Sequence, residues 1–333
     1  MKIGIIGFGY WGTNLVRNFA NLNGAELIKV SDHREERRQF LGKLCPSAVF
    51  CTDPVSITDD KELDAVVIAT PVFTHYEFAK RSLENGKHVM VEKPMTSDLK
   101  QAEELINISE KTGKVLMVDH TYLYTGAVRK MKELIDQDQI GNIKYFDSTR
   151  INLGLFQPDV NVLWDLATHD ISILNFLIDE KPVSVQATGV SHTANGIENI
   201  AYLTVKYDSG FIAHFNCSWS SPVKIRMMLI GGDKRMIVFN DLEPTEKVKV
   251  YDTGYEHKTD EDKTRILVDY RAGDIYIPKI ENKEALAMMA MDFKNAIEKG
   301  SSPLSDKYSG LEVLKILEAS QKSIKNKGAE IKI

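Results

Sequence analysis

Apolar residues arrive in short bursts along the first third of the chain, at positions 3–6, 27–30, 48–51, 65–69, 88–91 and 115–118. The fourth and fifth bursts are almost continuously apolar, as strands covered on both faces should be. Between the bursts the apolar positions return every three or four residues. Leu99, Ala102, Leu105 and Ile106, for example, fall on one face of a helix. Six strands with helical crossovers predict a parallel, doubly wound sheet.

Beyond about residue 121 the rhythm changes. A helical stretch over 124–135 precedes a strand-like run at 143–151, and a second helix is predicted over about 165–177. Period-two alternation follows. Ile200, Tyr202 and Thr204 oppose Ala201, Leu203 and Val205, and Phe211, Ala213, Phe215 and Cys217 share one face. Asp208-Ser209-Gly210 between these runs is a turn signal, so a hairpin is expected. Runs at 224–230, 235–239 and 247–251 extend an antiparallel sheet, and helical patterns over 283–298 and 309–324 end the chain. The pattern predicts an α/β dinucleotide-binding domain over residues 1–121 and an α+β domain over 122–333.

Composition narrows the class. At 333 residues the chain is long for one core, which favours two domains. With 43% hydrophobic and 27% charged residues it reads as a soluble globular protein. A net charge of −5 and a pI near 6.0 leave no basic footprint for nucleic acid or an anionic membrane, so neither is expected as a partner. The apolar runs fall far short of a bilayer span, and Met1-Lys2 directly before the first strand leaves no room for a signal peptide. Cys45, Cys51 and Cys217 lack metal-ligand spacing, and no metal is expected. Cys45 and Cys51 are close enough to pair, although free thiols in a reducing cytoplasm are the expectation.

The first chemical signal is Gly7-Phe8-Gly9-Tyr10-Trp11-Gly12, between a predicted strand and a predicted helix, with Asp32 at the end of the next strand. Gly-x-Gly-x-x-Gly in that setting, with an acid about twenty residues on, is a dinucleotide-binding fingerprint. Gly7 permits the turn, Gly9 lets backbone approach a pyrophosphate, and Gly12 lets the helix pack against the strand. The helix N-terminus offers unpaired N–H groups to the phosphates. Asp32 is expected to accept hydrogen bonds from the ribose hydroxyls, which favours NAD over NADP. The adjacent His33-Arg34 keeps NADP open, since Arg34 can meet a 2′-phosphate. A turn that binds nothing is the competing interpretation.

Two more clusters carry candidate chemistry. Glu92-Lys93-Pro94 ends the fifth predicted parallel strand, and strand carboxyl ends face the ligand crevice in such sheets. Partial desolvation of Lys93 would move it towards acid/base use, against the alternative of a surface lysine opening a loop. In Trp164-Asp165-Leu166-Ala167-Thr168-His169-Asp170, a helix places Asp165 and His169 four apart on one face. A carboxylate there orients the imidazole and raises its basicity. The alternative is a helix N-terminal acid beside a satisfied histidine. Asp170 points elsewhere and reads as structural.

Together, the glycine loop, Ala69-Thr70-Pro71 with His75, Glu92-Lys93-Pro94, and Asp165 with His169 resemble the Gfo/Idh/MocA oxidoreductase family over essentially the whole chain. The resemblance implies an N-terminal NAD(P)-binding Rossmann domain and a C-terminal domain with an open, largely antiparallel sheet that commonly supports homodimers or homotetramers. It also implies that Lys93 reaches the reacting hydroxyl, often through a cis Lys93–Pro94 peptide, and that Asp165 and His169 form the acid/base pair. Residues 148–156, 159–164, 169–174 and 241–245 are similar to the branch acting on UDP-activated amino sugars. Ala167 stands where glycine is frequent, and Asp119-His120 where Gly-His is common.

The expected activity is NAD-dependent oxidation of a secondary sugar hydroxyl, at carbon 3 of a UDP-linked N-acetylhexosamine, by hydride transfer to nicotinamide. Tyr122, Arg150, Asn152 and Gln157 are expected substrate contacts, with a surface ion pair as the alternative for Arg150. Core packing is the alternative for Tyr122 and Tyr124. A free-polyol dehydrogenase, a ketosugar reductase and a non-catalytic NAD-binding regulator remain the competing functions.

Overall fold

The computed structural model describes residues 1–154, 156–256 and 269–333; Leu155, within the 148–156 run, lies outside the described residues. The chain forms two compact units, Met1–Thr125 with Lys283–Lys315, and Gly126–Asn282 with Ile316–Ile333. These are not the contiguous halves divided at 121/122 that the pattern predicts. The helix Ala285–Lys299 returns to the first unit, where Phe293 meets Phe19 edge-on with ring centroids 6.4 Å apart. Asp292 on that helix also accepts from the Tyr124 hydroxyl at 2.7 Å. A core completed by residues so far apart in sequence cannot be read from local periodicity.

In the first unit, β1 (Lys2–Ile6), β2 (Glu26–Ser31), β3 (Val49–Cys51), β4 (Ala65–Ile68), β5 (His88–Glu92) and β6 (Leu116–Asp119) form one parallel sheet in the order β3-β2-β1-β4-β5-β6. All six predicted bursts are strands. The crossovers include α1 (Tyr10–Ala20), α2 (Arg37–Leu44), α3 (Val55–Thr58), α4 (His75–Glu84) and α5 (Leu99–Thr112). Every residue of β4 is buried, which explains its unbroken apolar run. Asp98 caps α5 by accepting from the Gln101 N–H, and left-handed Gly113 ends it. Because all six strands are parallel, their carboxyl ends share one edge. The glycine loop, Asp32, Ala69-Thr70-Pro71, Glu92-Lys93 and Asp119 all follow from that edge.

A 3-10 turn at Thr121–Tyr124 lies in the first unit and α6 (Gly126–Asp136) opens the second, so the helix predicted over 124–135 starts later. Then come β7 (Ile143–Leu153), α7 (Thr168–Leu177), β8 (Ser184–Val190), β9 (Ile200–Lys206), β10 (Ile212–Ser218), β11 (Ser220–Gly232), β12 (Met236–Asn240) and β13 (Val248–Tyr251). Among the described residues, the strands β14 (Gly254–Glu256) and β15 (Asp269–Arg271) pair separately. The main sheet runs β16-β13-β12-β11-β7-β10-β9-β8-β17, with β16 at Ile275–Tyr276 and β17 at Ile331–Lys332. Its pairings are antiparallel except β10 with β7. The predicted hairpin is β9–β10, turned at Gly210 with φ +85°. Ala201, Leu203, Val205, Ala213, Phe215 and Cys217 are buried, while Tyr202 and Ile212 on the other face are 48% and 43% exposed. No helix among the described residues is long and apolar enough to cross a membrane.

Candidate functional site

The three glycines of the loop after β1 answer to different neighbours. Gly7 has φ +96°, and a Cβ there would lie 2.4 Å from Ala69 O. A Cβ on Gly12 would lie 2.0 Å from Gly7 O, so the loop closes only on glycine. Gly9 differs, since the nearest atom to its Cβ would be Arg34 Nη2, 3.9 Å away. The protein's own packing does not demand glycine at position 9, and the open space beside it suits a phosphate approaching the backbone. The first turn of α1 has no side-chain cap, leaving its N–H groups to an anion. Tyr10 and Trp11 in that turn are half-exposed or more and meet edge-on. Arg37 braces the loop from α2, donating to Phe8 O at 2.8 Å and Thr13 Oγ1 at 2.9 Å. Sequence spacing gives no signal for this residue.

Asp32 is buried at the end of β2 and receives four hydrogen bonds. Phe8 N–H donates at 2.9 Å, Arg34 N–H at 3.0 Å, and the Arg34 guanidinium through Nε and Nη2 at 2.9 Å each. Burial pushes its pKa up, but the Arg34 side chain and the two backbone donors outweigh burial and lower it to about 2. Arg34 is therefore bound to the carboxylate rather than standing free for a 2′-phosphate. His33 is exposed, with Nδ1 3.6 Å from Asp32 Oδ1.

At the ends of β4 and β5, His75 takes a different place from the one expected of a cofactor contact. Its ring is buried, with Nε2 2.8 Å from Thr70 O and Nδ1 2.9 Å from Pro94 O. Its ring sits between the Ala69-Thr70-Pro71 loop and the Glu92-Lys93-Pro94 loop, where a neutral imidazole has one N–H to donate to one of the two carbonyl oxygens. The Lys93–Pro94 peptide is cis. Tyr124 packs in the core, bonded to Asp292 and Ser305, and burial raises its pKa. Tyr122, two residues earlier, is only half-buried.

In the second unit, the segment predicted as one α-helix over 165–177 begins instead as a π-helical turn at Leu163–Ala167, followed by α7. Asn161 starts the turn, its side-chain oxygen accepting from the N–H groups of Leu163 and Trp164 at 3.1 and 3.2 Å. Such turns recur at functional sites. This one carries Asp165, while His169 lies in the first turn of α7, and both are half-buried. Trp219, fully buried just past β10, donates its indole N–H to Asp165 Oδ2 at 3.0 Å. The signal for it was a tryptophan ending an apolar strand, whose N–H needs a partner once buried.

Arg150 is neither an open substrate contact nor a surface ion pair. It lies within β7, buried, with Nε 2.8 Å from Asp170 Oδ1, and Ser148 Oγ donates to Asp170 Oδ2 at 2.7 Å. The guanidinium is spent on a core carboxylate, which also gives Asp170 its structural role. Asn152 and Gln157 are half-buried near the end of that strand.

Residues 1–120 match the oxidoreductase family with the NAD-binding Rossmann fold, and residues 128–238 match the GFO/IDH/MocA C-terminal domain. The chain belongs to the Gfo/Idh/MocA oxidoreductase family. An uncharacterized oxidoreductase of Escherichia coli is 32% identical over 165 residues, 49% of this chain and 46% of that one. UDP-N-acetylglucosamine 3-dehydrogenase of Acidithiobacillus ferrooxidans is 26% identical over 325 residues, 94% of each chain. The crystal structure of that dehydrogenase covers 98% of each chain with a TM-score of 0.81 at 24% identity, a likeness of fold. The scyllo-inositol 2-dehydrogenase (NAD⁺) of Bacillus subtilis is 25% identical over 251 residues, 72% of this chain and 73% of that one. Within this Gfo/Idh/MocA oxidoreductase, the first unit is thus the NAD-binding one.

Proposed function

We propose that this chain oxidises a secondary hydroxyl of a nucleotide sugar, at carbon 3 of a UDP-linked N-acetylhexosamine, with NAD as the hydride acceptor. The observation that carries the reading is Lys93, at the carboxyl end of β5 on the same edge as the glycine loop and Asp32. In sheet order, three strand spacings of about 4.8 Å, roughly 14 Å in all, separate β2 from β5. That span suits an extended dinucleotide with its adenosine at Asp32, its pyrophosphate on the glycine loop and its nicotinamide towards Lys93. Similarity to a UDP-N-acetylglucosamine 3-dehydrogenase over 94% of both chains supports the substrate class.

When bound, NAD supplies the acceptor for the hydride, and the chain's own side chains do the rest. Lys93 donates a hydrogen bond to the substrate oxygen and stabilises its developing negative charge. His169, oriented by Asp165, takes the hydroxyl proton. Tyr122, Asn152 and Gln157 line the sugar in this reading, while Arg150 drops out because Asp170 holds it. NAD is favoured over NADP because the ionised Asp32 would repel a 2′-phosphate. The exposed Tyr202 and Ile212 face of the second unit's sheet supports a homodimer or homotetramer, which sedimentation measures. The three free cysteines fit a reducing cytoplasm.

The test is nicotinamide reduction followed by absorbance with UDP-N-acetylglucosamine, free inositols, and NAD or NADP. Turnover is expected with the UDP-sugar and NAD, and Lys93→Ala and His169→Ala should each lower kcat by about 10²–10⁴-fold. Wild-type turnover in both variants would overturn the mechanism. Turnover confined to free inositols would move the substrate to the polyol class.

A further inference from the structure

Glu92 and Asp119 stand opposite one another in register at the carboxyl ends of neighbouring strands β5 and β6. Asp119 is 3% exposed and accepts from the Thr121 N–H at 3.1 Å and from the Thr121 hydroxyl. Glu92 Oε2 accepts the Lys93 backbone N–H at 3.3 Å. The register puts the two carboxyl groups within reach of one side-chain hydrogen bond. Such a bond requires one proton, because a carboxylate has none to give. Thr121 satisfies Asp119 as the anion, so Glu92 is the donor.

The surroundings keep the pair at one negative charge. Burial first, and then the Asp119 charge, pushes Glu92 well above the usual carboxylate range. Burial also raises Asp119, against the opposing pull of Thr121 and Glu92. The Lys93 charge is the cation that acts on both. His120 is 1% exposed, and neither ring nitrogen has a partner among the described residues. Burial and the Lys93 charge lower its pKa to about 3, so it contributes no charge. On the helix Ala285–Lys299, which packs against the Thr121–Tyr124 turn, Asp292 is bonded to the Tyr124 hydroxyl and the Leu304 N–H.

We propose that Glu92 and Asp119 form a one-proton carboxyl dyad that releases its proton to solvent when a positively charged ring binds at this edge. Oxidised dinucleotide then binds more tightly as pH rises, and reduced dinucleotide does not. The proposal rests on the reading above that the nicotinamide lies towards Lys93. Two carboxylates beside one lysine carry a net negative charge, which a cationic ring offsets and a neutral ring leaves unmatched. Asp119 acts here as a positioning residue, through Glu92.

The experiment is calorimetric titration of the full chain with NAD⁺ and with NADH, in buffers of equal pH and different protonation enthalpy. NAD⁺ should release close to one proton below the dyad's apparent pKa, its Kd rising about tenfold for each unit the pH falls, and NADH should release none. Asp119→Asn removes one cause that holds the Glu92 proton and leaves burial in place, so this variant should release less than wild type on binding NAD⁺, and Glu92→Gln should release none. Difference infrared spectra should show a protonated carboxyl band lost on NAD⁺ binding in wild type, weakened in Asp119→Asn and absent from Glu92→Gln. Equal proton release with both cofactor forms, or unchanged release in Asp119→Asn, overturns the dyad alone. A chain that binds neither form overturns the cofactor reading and the dyad with it.

Discussion

Asp32 at the end of β2 and Asp119 at the end of β6 are almost equally buried, at 6% and 3% exposure, yet their surroundings drive them in opposite directions. Asp32 collects four donors from Phe8 and Arg34 and is held ionised at about 2. Asp119 and Glu92 together collect two from Thr121 and one from the Lys93 backbone, and both are pushed up. Burial alone does not decide the charge of a carboxyl group, because the donors available to each one do. One sheet edge thus carries a fixed anion at one end and a proton-holding pair at the other.

The strongest way to break the comparison is to remove the backbone that supplies Asp32. Gly12→Ala drives a Cβ to within 2.0 Å of Gly7 O and displaces the loop presenting the Phe8 N–H. We expect a loss of about 1–3 kcal/mol or more in denaturant unfolding, the usual range for overpacking, together with loss of measurable NAD binding. Gly9→Ala meets nothing closer than 3.9 Å. It should keep wild-type stability while weakening NAD binding at least tenfold, about 1.4 kcal/mol. Equal destabilisation by the two substitutions would show that the open space at Gly9 has no special role.

What the sequence disclosed divides along a similar line. The six parallel strands, the glycine loop and Asp32 were legible because each follows a local rule of periodicity or spacing. The dyad was not, because Glu92 meets Asp119 through strand register across 27 positions of sequence. Asp119 drew notice only as a departure from Gly-His. The π turn at Leu163–Ala167 depends on the Asn161 side chain, and Asp165 on an indole 54 residues away. His75 was found by its motif, but its place between Thr70 and Pro94 appears only once β4 and β5 are side by side. Arg150 looked like an anion ligand because its carboxylate partner lies on α7, in another element.

Opposite pKa directions give opposite pH dependences, which sharpens the comparison. Asp32 falls from 3.8 to about 2 on folding, so its stabilisation is complete above the unfolded value and lost as pH falls through about 2. Asp32→Asn should therefore lower the melting temperature at neutral pH, and the gap to wild type should close towards pH 2. Glu92 rises from 4.5, so the folded state binds the extra proton and stability falls as pH climbs above that value. Asp119→Asn should then raise the melting temperature at mildly alkaline pH, by about 2–4 °C for each kcal/mol relieved, and have less effect near pH 4. Thermal unfolding of the three proteins across pH checks both signs. A lowered melting temperature for Asp119→Asn at alkaline pH would mean that its bonds to Thr121 outweigh the relief.

The smallest expected effect extends the donor rule to the second unit. Asp165 is half-buried and receives the Trp219 indole N–H at 3.0 Å. Trp219→Phe removes that donor while keeping an aromatic ring against Phe156, now 5.6 Å from Trp219 between ring centroids. Water reaches a half-buried carboxylate and replaces part of what is lost, so stability should fall by only about 1 kcal/mol. If Asp165 orients His169 as proposed, kcat should drop several-fold with KM for the sugar little changed, and the acid limb of the kcat–pH profile should shift. A purely structural tryptophan would lower stability and leave that profile in place. Kinetics across pH for wild type and Trp219→Phe therefore separate an oriented acid/base pair from two residues that merely share a turn.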